Sequence, residues 1–169
     1  MNPLLDFSGL PRFADFKPAC VTPAVDELLA ENRALVTRLA APQVPATWDD
    51  FVAPLEDANE RLARAWGQVA HLNAVMNSPE LRDVYNANLP KITQYYTELS
   101  QHQGLFAKFR ALAAADAFGI LSRAQRKIVE NELRDFRLGG AELAPENKAR
   151  FVQIRERLSQ ISSRFSDNL

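Results

Sequence analysis

The chain has 169 residues, with 20 Lys and Arg against 21 Asp and Glu, and 47% of it is hydrophobic. A formal charge of −1 argues against a nucleic-acid partner, which calls for a basic excess to neutralise phosphates. A single cysteine, Cys20, precludes an internal disulfide, and no run approaches the ~20 apolar residues of a membrane span.

The opening Met1-Asn2-Pro3-Leu4-Leu5-Asp6 lacks the basic and apolar regions of a signal peptide. The expectation is therefore a soluble, cytoplasmic chain of one domain, with no membrane partner. Residues 1–22 carry Pro3, Pro11 and Pro18, with Phe7, Phe13 and Phe16 between them. Proline fixes φ and biases the preceding residue to extended geometry, which predicts an irregular arm. Its aromatics would be costly to leave in water, so the arm is expected to pack along a helical body formed by residues 23–169.

Thr22-Pro23 reads as a capped helix start, followed by Val25, Leu28, Asn32, Leu35 and Leu39 at helical spacing. Pro42 and Pro45 end that helix. Thr47 with Asp50 three residues on opens the next, and Pro54 separates a short first turn from its main body. Leu55, Ala58, Leu62, Ala65, Val69, Leu72 and Met76 form its stripe. Ser78-Pro79 repeats the cap-then-proline signal ahead of Leu81, Val84, Tyr85, Leu89, Ile92, Tyr96 and Leu99, with a kink expected at Pro90. Leu105, Phe106, Phe109 and Leu112 mark a fourth helix. Ser122 with Gln125 caps a fifth, carrying Ile128, Val129, Leu133 and Phe136 to a stop at Gly139-Gly140.

Pro145 opens the last helix, where Phe151, Ile154, Leu158, Ile161 and Phe165 alternate spacings of three and four. That stripe is still in phase at Leu169, the pattern of a chain cut within or just after a helix. If a missing region covers this helix, part of the stripe should be exposed here and weak self-association should follow. No segment alternates with period two, so the predicted fold is an all-α, antiparallel bundle of about six helices.

The residues show no active site. His71 and His102 are the only histidines, and neither belongs to an H-E-x-x-H pair of the kind that holds zinc on one helix. Cys20 has no histidine near it in sequence, no nucleophile elbow occurs, and no glycine-rich phosphate loop is present. The acidic pairs Asp49-Asp50 and Glu56-Asp57 fall in first helical turns, where they complement the helix dipole. The arginines from Arg123 to Arg137 are interleaved with acids. Glu130–Arg134 and Glu146–Arg150 have the favourable i, i+4 order of a solvated face. Trp66, Tyr85, Tyr95 and Tyr96 have the spacing of core packing, with a peptide groove as the competing use.

Several segments taken together resemble the thimet oligopeptidase family of zinc metallopeptidases. They begin with Asn2-Pro3-Leu4-Leu5, Leu10-Pro11-Arg12-Phe13 and Val21-Thr22-Pro23-Ala24-Val25. His71-Leu72-Asn73-Ala74-Val75-Met76-Asn77-Ser78-Pro79-Glu80-Leu81-Arg82 and Gln101-His102-Gln103-Gly104-Leu105-Phe106 follow. The strongest is Ala124-Gln125-Arg126-Lys127-Ile128-Val129-Glu130-Asn131-Glu132-Leu133-Arg134-Asp135-Phe136, continuing through Gly139-Gly140-Ala141-Glu142-Leu143. Ile154 to Leu158 and Phe165-Ser166-Asp167-Asn168 close the series.

The resemblance implies the N-terminal helical region of a longer cytosolic enzyme, truncated before its catalytic domain. Such enzymes hydrolyse short peptides, including cleaved signal peptides, in a channel between two mainly helical halves. Zinc held by H-E-x-x-H and a later glutamate activates water there, with the motif glutamate as base. No position of this chain matches those residues. No catalytic, metal or cofactor residue is therefore carried over, and substrate-facing side chains are not assigned from spacing. The expectation is an inactive channel wall, partnered by the missing catalytic domain with its one zinc ion and by short peptides. The alternative is a free-standing helical module that binds peptide or protein without catalysis.

Overall fold

The computed structural model describes residues 2–168, which form six α-helices and no strand. They are α1 (Val21–Leu39), α2 (Ala53–Val75), α3 (Pro79–Ser100), α4 (Gln103–Ala114), α5 (Arg123–Leu138) and α6 (Pro145–Asp167). Short 3-10 turns occupy Pro3–Leu5, Phe13–Asp15, Pro18–Cys20 and Asp116–Ile120, and one π turn spans Trp48–Val52.

The capping residues act as their chemistry requires at α3 and α5. Ser78 accepts from the Leu81 amide, and Ser122 with Gln125 closes a full capping box. Thr47 accepts from the Asp50 amide, so the short turn ahead of Pro54 begins where the hydroxyl predicts. α1 differs, beginning at Val21 two residues before the expected proline. The turn Pro18–Cys20 feeds straight into the helix, with Cys20 at the N-cap and no side-chain cap. Thr22 instead accepts a hydrogen bond at its Oγ1 from the buried Asn88 amide, at 2.8 Å. Pro23 is tolerated because amides of a first turn have no helical partner to lose. α3 runs as one helix through Pro90.

Cross-helix contacts set the directions. Asp26 pairs with Lys91 at 2.7 Å and Arg33 with Glu98 at 3.1 Å, so α1 and α3 run in step. α2 runs against both, since Trp66 stacks on Tyr85 and Tyr95 Oη donates to Asn59 Oδ1. α6 runs against α3, with Ser163 on Asn86 and Ser159 on Thr93. Consecutive α1, α2 and α3 are thus antiparallel, which obliges the first and third to be parallel.

Two apolar clusters fill the body. One joins Leu4 to Val21, Val25 and Leu28 of α1, to Leu62 and Val69 of α2, and to Leu81, Ile92 and Tyr95 of α3. The other joins Leu39 to Phe51, Leu55, Phe106, Phe109, Val129 and Phe136. Between them Asn32, buried within the apolar stripe, donates to the Ala58 carbonyl and to Tyr95 Oη. This buried polar junction ties three helices at one level because each donor has an acceptor. The α3 stripe turns in Tyr95 and leaves its neighbour Tyr96 half-buried.

Leu4 lies in the core, and Asn2 donates to the Cys20 carbonyl at 2.8 Å. Phe7 packs beneath the guanidinium groups of Arg61 and Arg64 on α2, at 4.9 and 5.6 Å.

α5 ends in a Schellman turn. The Ala141 amide reaches back to the Phe136 carbonyl, and Gly140 takes φ of +92°. The adjacent Gly139 serves a different need, since a Cβ there would sit 2.4 Å from Cβ of Ser100 on α3. Gly139→Ala is expected to cost about 1–3 kcal/mol in urea unfolding, because the ends of two helices must separate to admit one methyl. Ser100→Gly in the same background should recover part of that loss.

Candidate functional site

Two recesses lie along the α3–α6 seam. This seam is polar, closed by Ser163 Oγ on Asn86 Oδ1 at 2.6 Å and by Thr93 with Ser159 at 3.0 Å. Small serines at the contact let the helices approach but leave space on both flanks. On one flank a cleft of 640 Å³ is lined by Asn73, Asn77, Arg82, Tyr85, Ser162 and Ser166, among others. On the other, Leu89, Pro90, Arg157, Gln160 and Arg164 border a recess of 310 Å³. Sequence reasoning did not single out this serine face. The available signal was the i, i+4 spacing of Ser159 with Ser163 and of Ser162 with Ser166.

The candidate chemical groups lie elsewhere. His71 is exposed on α2 with its ring 5.9 Å from that of Phe13. His102 is the N-cap of α4, and its Nδ1 accepts from the Leu105 amide at 3.2 Å. Cys20 is half-buried against the first apolar cluster. Among the described residues, no three His, Cys, Asp or Glu side chains converge as metal ligands would. The donor set of the described residues therefore does not fit a zinc ion.

Trp66 and Tyr85 stack at 4.9 Å, and Tyr95 is buried with its hydroxyl pushed up to about 12 by loss of solvent. These aromatics serve the core, although one edge of Tyr85 reaches the larger cleft. The expected i, i+4 ion pairs are replaced by others. Arg134 turns to Asp135 at 2.9 Å and to Asn131, Glu130 faces Lys127 at 3.7 Å, and Arg150 reaches Gln153. All of these are solvated contacts of small energy, so competing rotamers decide between them.

One acidic pair is perturbed. Glu132 of α5 titrates at about 7, raised first by burial and then by Glu56 and Asp135. Glu56, in the first turn of α2, is also raised by burial and by Asp57. Like charges sharing one half-buried place do not both ionise readily, so the Glu56 charge adds to burial in raising the Glu132 carboxyl.

The outer side of α6 is apolar. Ile154 is 51% exposed, Leu158 54%, Ile161 50% and Phe165 65%. At about 100° per residue, this stripe is centred about 140° around the helix from the serine face that meets α3. The helix thus docks through its polar side and presents its apolar side to water, the reverse of the usual amphipathic arrangement.

A family model for the N-terminal domain of neurolysin and thimet oligopeptidase matches residues 25–148. The chain belongs to the neurolysin/thimet oligopeptidase family. Within it, the chain is 43% identical over 168 residues to oligopeptidase A of Haemophilus influenzae. It is 41% identical to oligopeptidase A of Salmonella typhimurium and 40% to that of Escherichia coli. Each alignment covers 99% of this chain but only 24–25% of the relative, so the chain spans about a quarter of their length. The family match runs from within α1 to the start of α6, including the cap of α5 and its Schellman turn. No helix of the described residues is long and apolar enough to cross a membrane.

Proposed function

We propose that the chain is the N-terminal helical domain of a cytoplasmic zinc oligopeptidase, in which it forms one wall of the channel that admits short peptides. The observation that carries this reading is the end-to-end similarity to oligopeptidase A, confined to about a quarter of that protein. The outward apolar stripe of α6 supports it, because exposed apolar surface of this kind commonly marks a site of contact with another part. Residues 1–22 act as an arm packed on a body that runs from residue 23, and the catalytic domain follows. The zinc ion and its ligands belong to that domain, and cleaved signal peptides are among the substrates.

In this role the chain contributes shape. The Asn32–Asn59–Tyr95 junction and the two apolar clusters hold the helices at fixed spacing. A wall so held excludes folded proteins by volume while admitting flexible peptides. Reading the encoding gene beyond codon 169 tests the proposal directly. The expected result is an uninterrupted frame containing H-E-x-x-H and a later glutamate. The isolated chain should then leave fluorogenic short peptides uncut and take up no stoichiometric zinc in equilibrium dialysis. A stop codon after Leu169, or chelator-sensitive cleavage by the chain itself, overturns the reading. The first of these results would favour a free-standing binding module.

A further inference from the structure

The outward stripe of α6 has a heptad register. Phe151, Leu158 and Phe165 occupy one core position, and Ile154 and Ile161 the other. In that register Arg150, Arg157 and Arg164 fall at one flanking position in three successive heptads, and Arg155 and Ser162 at the other. Among the described side chains, none of the three arginines in the row has a carboxylate within ion-pair distance; Arg150 bonds only to the neutral Gln153. An exposed apolar seam bordered by a row of arginines has the composition of a helix-docking face.

The geometry points to this face as the docking surface for an apolar helix flanked by carboxylates, supplied by the part of the parent oligopeptidase that this chain does not span. The inference rests on the family reading for the source of that helix. Its chemistry comes from the surface alone. A carboxylate-bearing neighbour neutralises Arg150, Arg157 and Arg164 while its apolar side chains fill the seam. A second copy fits poorly. A parallel pair sets Arg150 against Arg155, and an antiparallel pair sets the arginine row against itself, so like charges meet in either orientation. The weak self-association expected from exposed apolar surface is opposed by this charge row.

Two synthetic helical peptides of about four heptads, with Ile and Leu in the core positions, test the surface. One carries Glu at every flanking position and the other Lys. At low ionic strength, fluorescence anisotropy with the 169-residue chain should show the Glu peptide binding at least tenfold more tightly than the Lys peptide. Arg150→Glu, Arg157→Glu and Arg164→Glu together should invert that preference. Ile154→Asp with Leu158→Asp should abolish both interactions while circular dichroism stays unchanged, since both positions face water. Equal affinities, no binding of either peptide, or a charge-reversed chain that keeps the original preference overturns the inference. So does sedimentation showing a dimer that the Glu peptide fails to dissociate, which would make a second copy the occupant. These readouts do not depend on the coding frame beyond codon 169, so a failed surface and a failed family reading give different results.

Discussion

Phe109→Ala is expected to lower the unfolding free energy of the chain by about 3–5 kcal/mol. Phe109 is completely buried, with its ring 4.8 Å from that of Phe51 in an edge-on arrangement and 5.7 Å from that of Phe136. It therefore joins the π turn ahead of α2 to both α4 and α5. Removing the ring loses its transfer energy, leaves a cavity and breaks two aromatic contacts. A domain of this size is stable by only about 5–15 kcal/mol, so the variant should unfold at much lower urea, with its slope unchanged. Phe109→Leu refills most of the volume and should cost clearly less. A midpoint for Phe109→Ala close to that of the parent chain would show that the second apolar cluster contributes little to cooperative stability.

Glu132→Gln should stabilise the chain at pH 8 by about 1–3 kcal/mol and change it little at pH 4.5. The sign follows from linkage. The folded-state pKa of Glu132, about 7, lies above the ordinary 4.5 of a glutamate. As pH rises past 4.5 the unfolded chain releases this proton while the folded chain retains it, so stability falls until pH passes about 7. The full difference corresponds to about 3 kcal/mol, and screening at a half-buried site reduces it. Glutamine keeps the size and the hydrogen-bonding capacity of the protonated acid without the ionisation. Chemical denaturation at several pH values checks the effect. If the parent chain loses no more stability than the variant between pH 5 and 7, Glu132 is already ionised in the folded state at pH 5 and the assignment fails.

Much of the bundle is legible in the sequence because helical period, caps and prolines act locally. Ser78-Pro79, Ser122 with Gln125, and Thr47 with Asp50 each state a helix start within four residues, and the structure realises all three. Thr22 shows the limit of such reasoning. Its hydroxyl had the right neighbour for a cap, but the Asn88 amide, 66 residues away, makes the bond instead. The exchange of Tyr96 for Tyr95 in the core has the same origin. The two positions differ by about 100° on one helix, and only the placement of Asn32 and Asn59 decides which hydroxyl is turned inward.

The site was less legible. Along the chain His71, His102 and Cys20 are unconnected groups, and the structure leaves them apart in solvated, capping and packing roles. The clefts beside α6 depend on which serines face α3, a property of the seam between two helices and not of either sequence segment. The Glu56–Glu132 pair was equally hidden. Glu56 has the position of a first-turn acid, and nothing within α2 reveals that α5 brings another carboxyl close enough to interact with it.

By itself the sequence determined the helical class, the approximate bounds of the helices and the family resemblance, because these depend on spacing, caps and residue identity along one strand of chain. It also set the heptad of Phe151, Ile154, Leu158, Ile161 and Phe165. Only the tertiary structure decided which way that heptad points. α6 meets α3 through Ser159 and Ser163, where hydrogen bonds to Thr93 and Asn86 satisfy polar groups at close approach, and this turns the apolar side outward. Periodicity shows that a helix has an apolar face; which face is buried depends on the partner available to cover it.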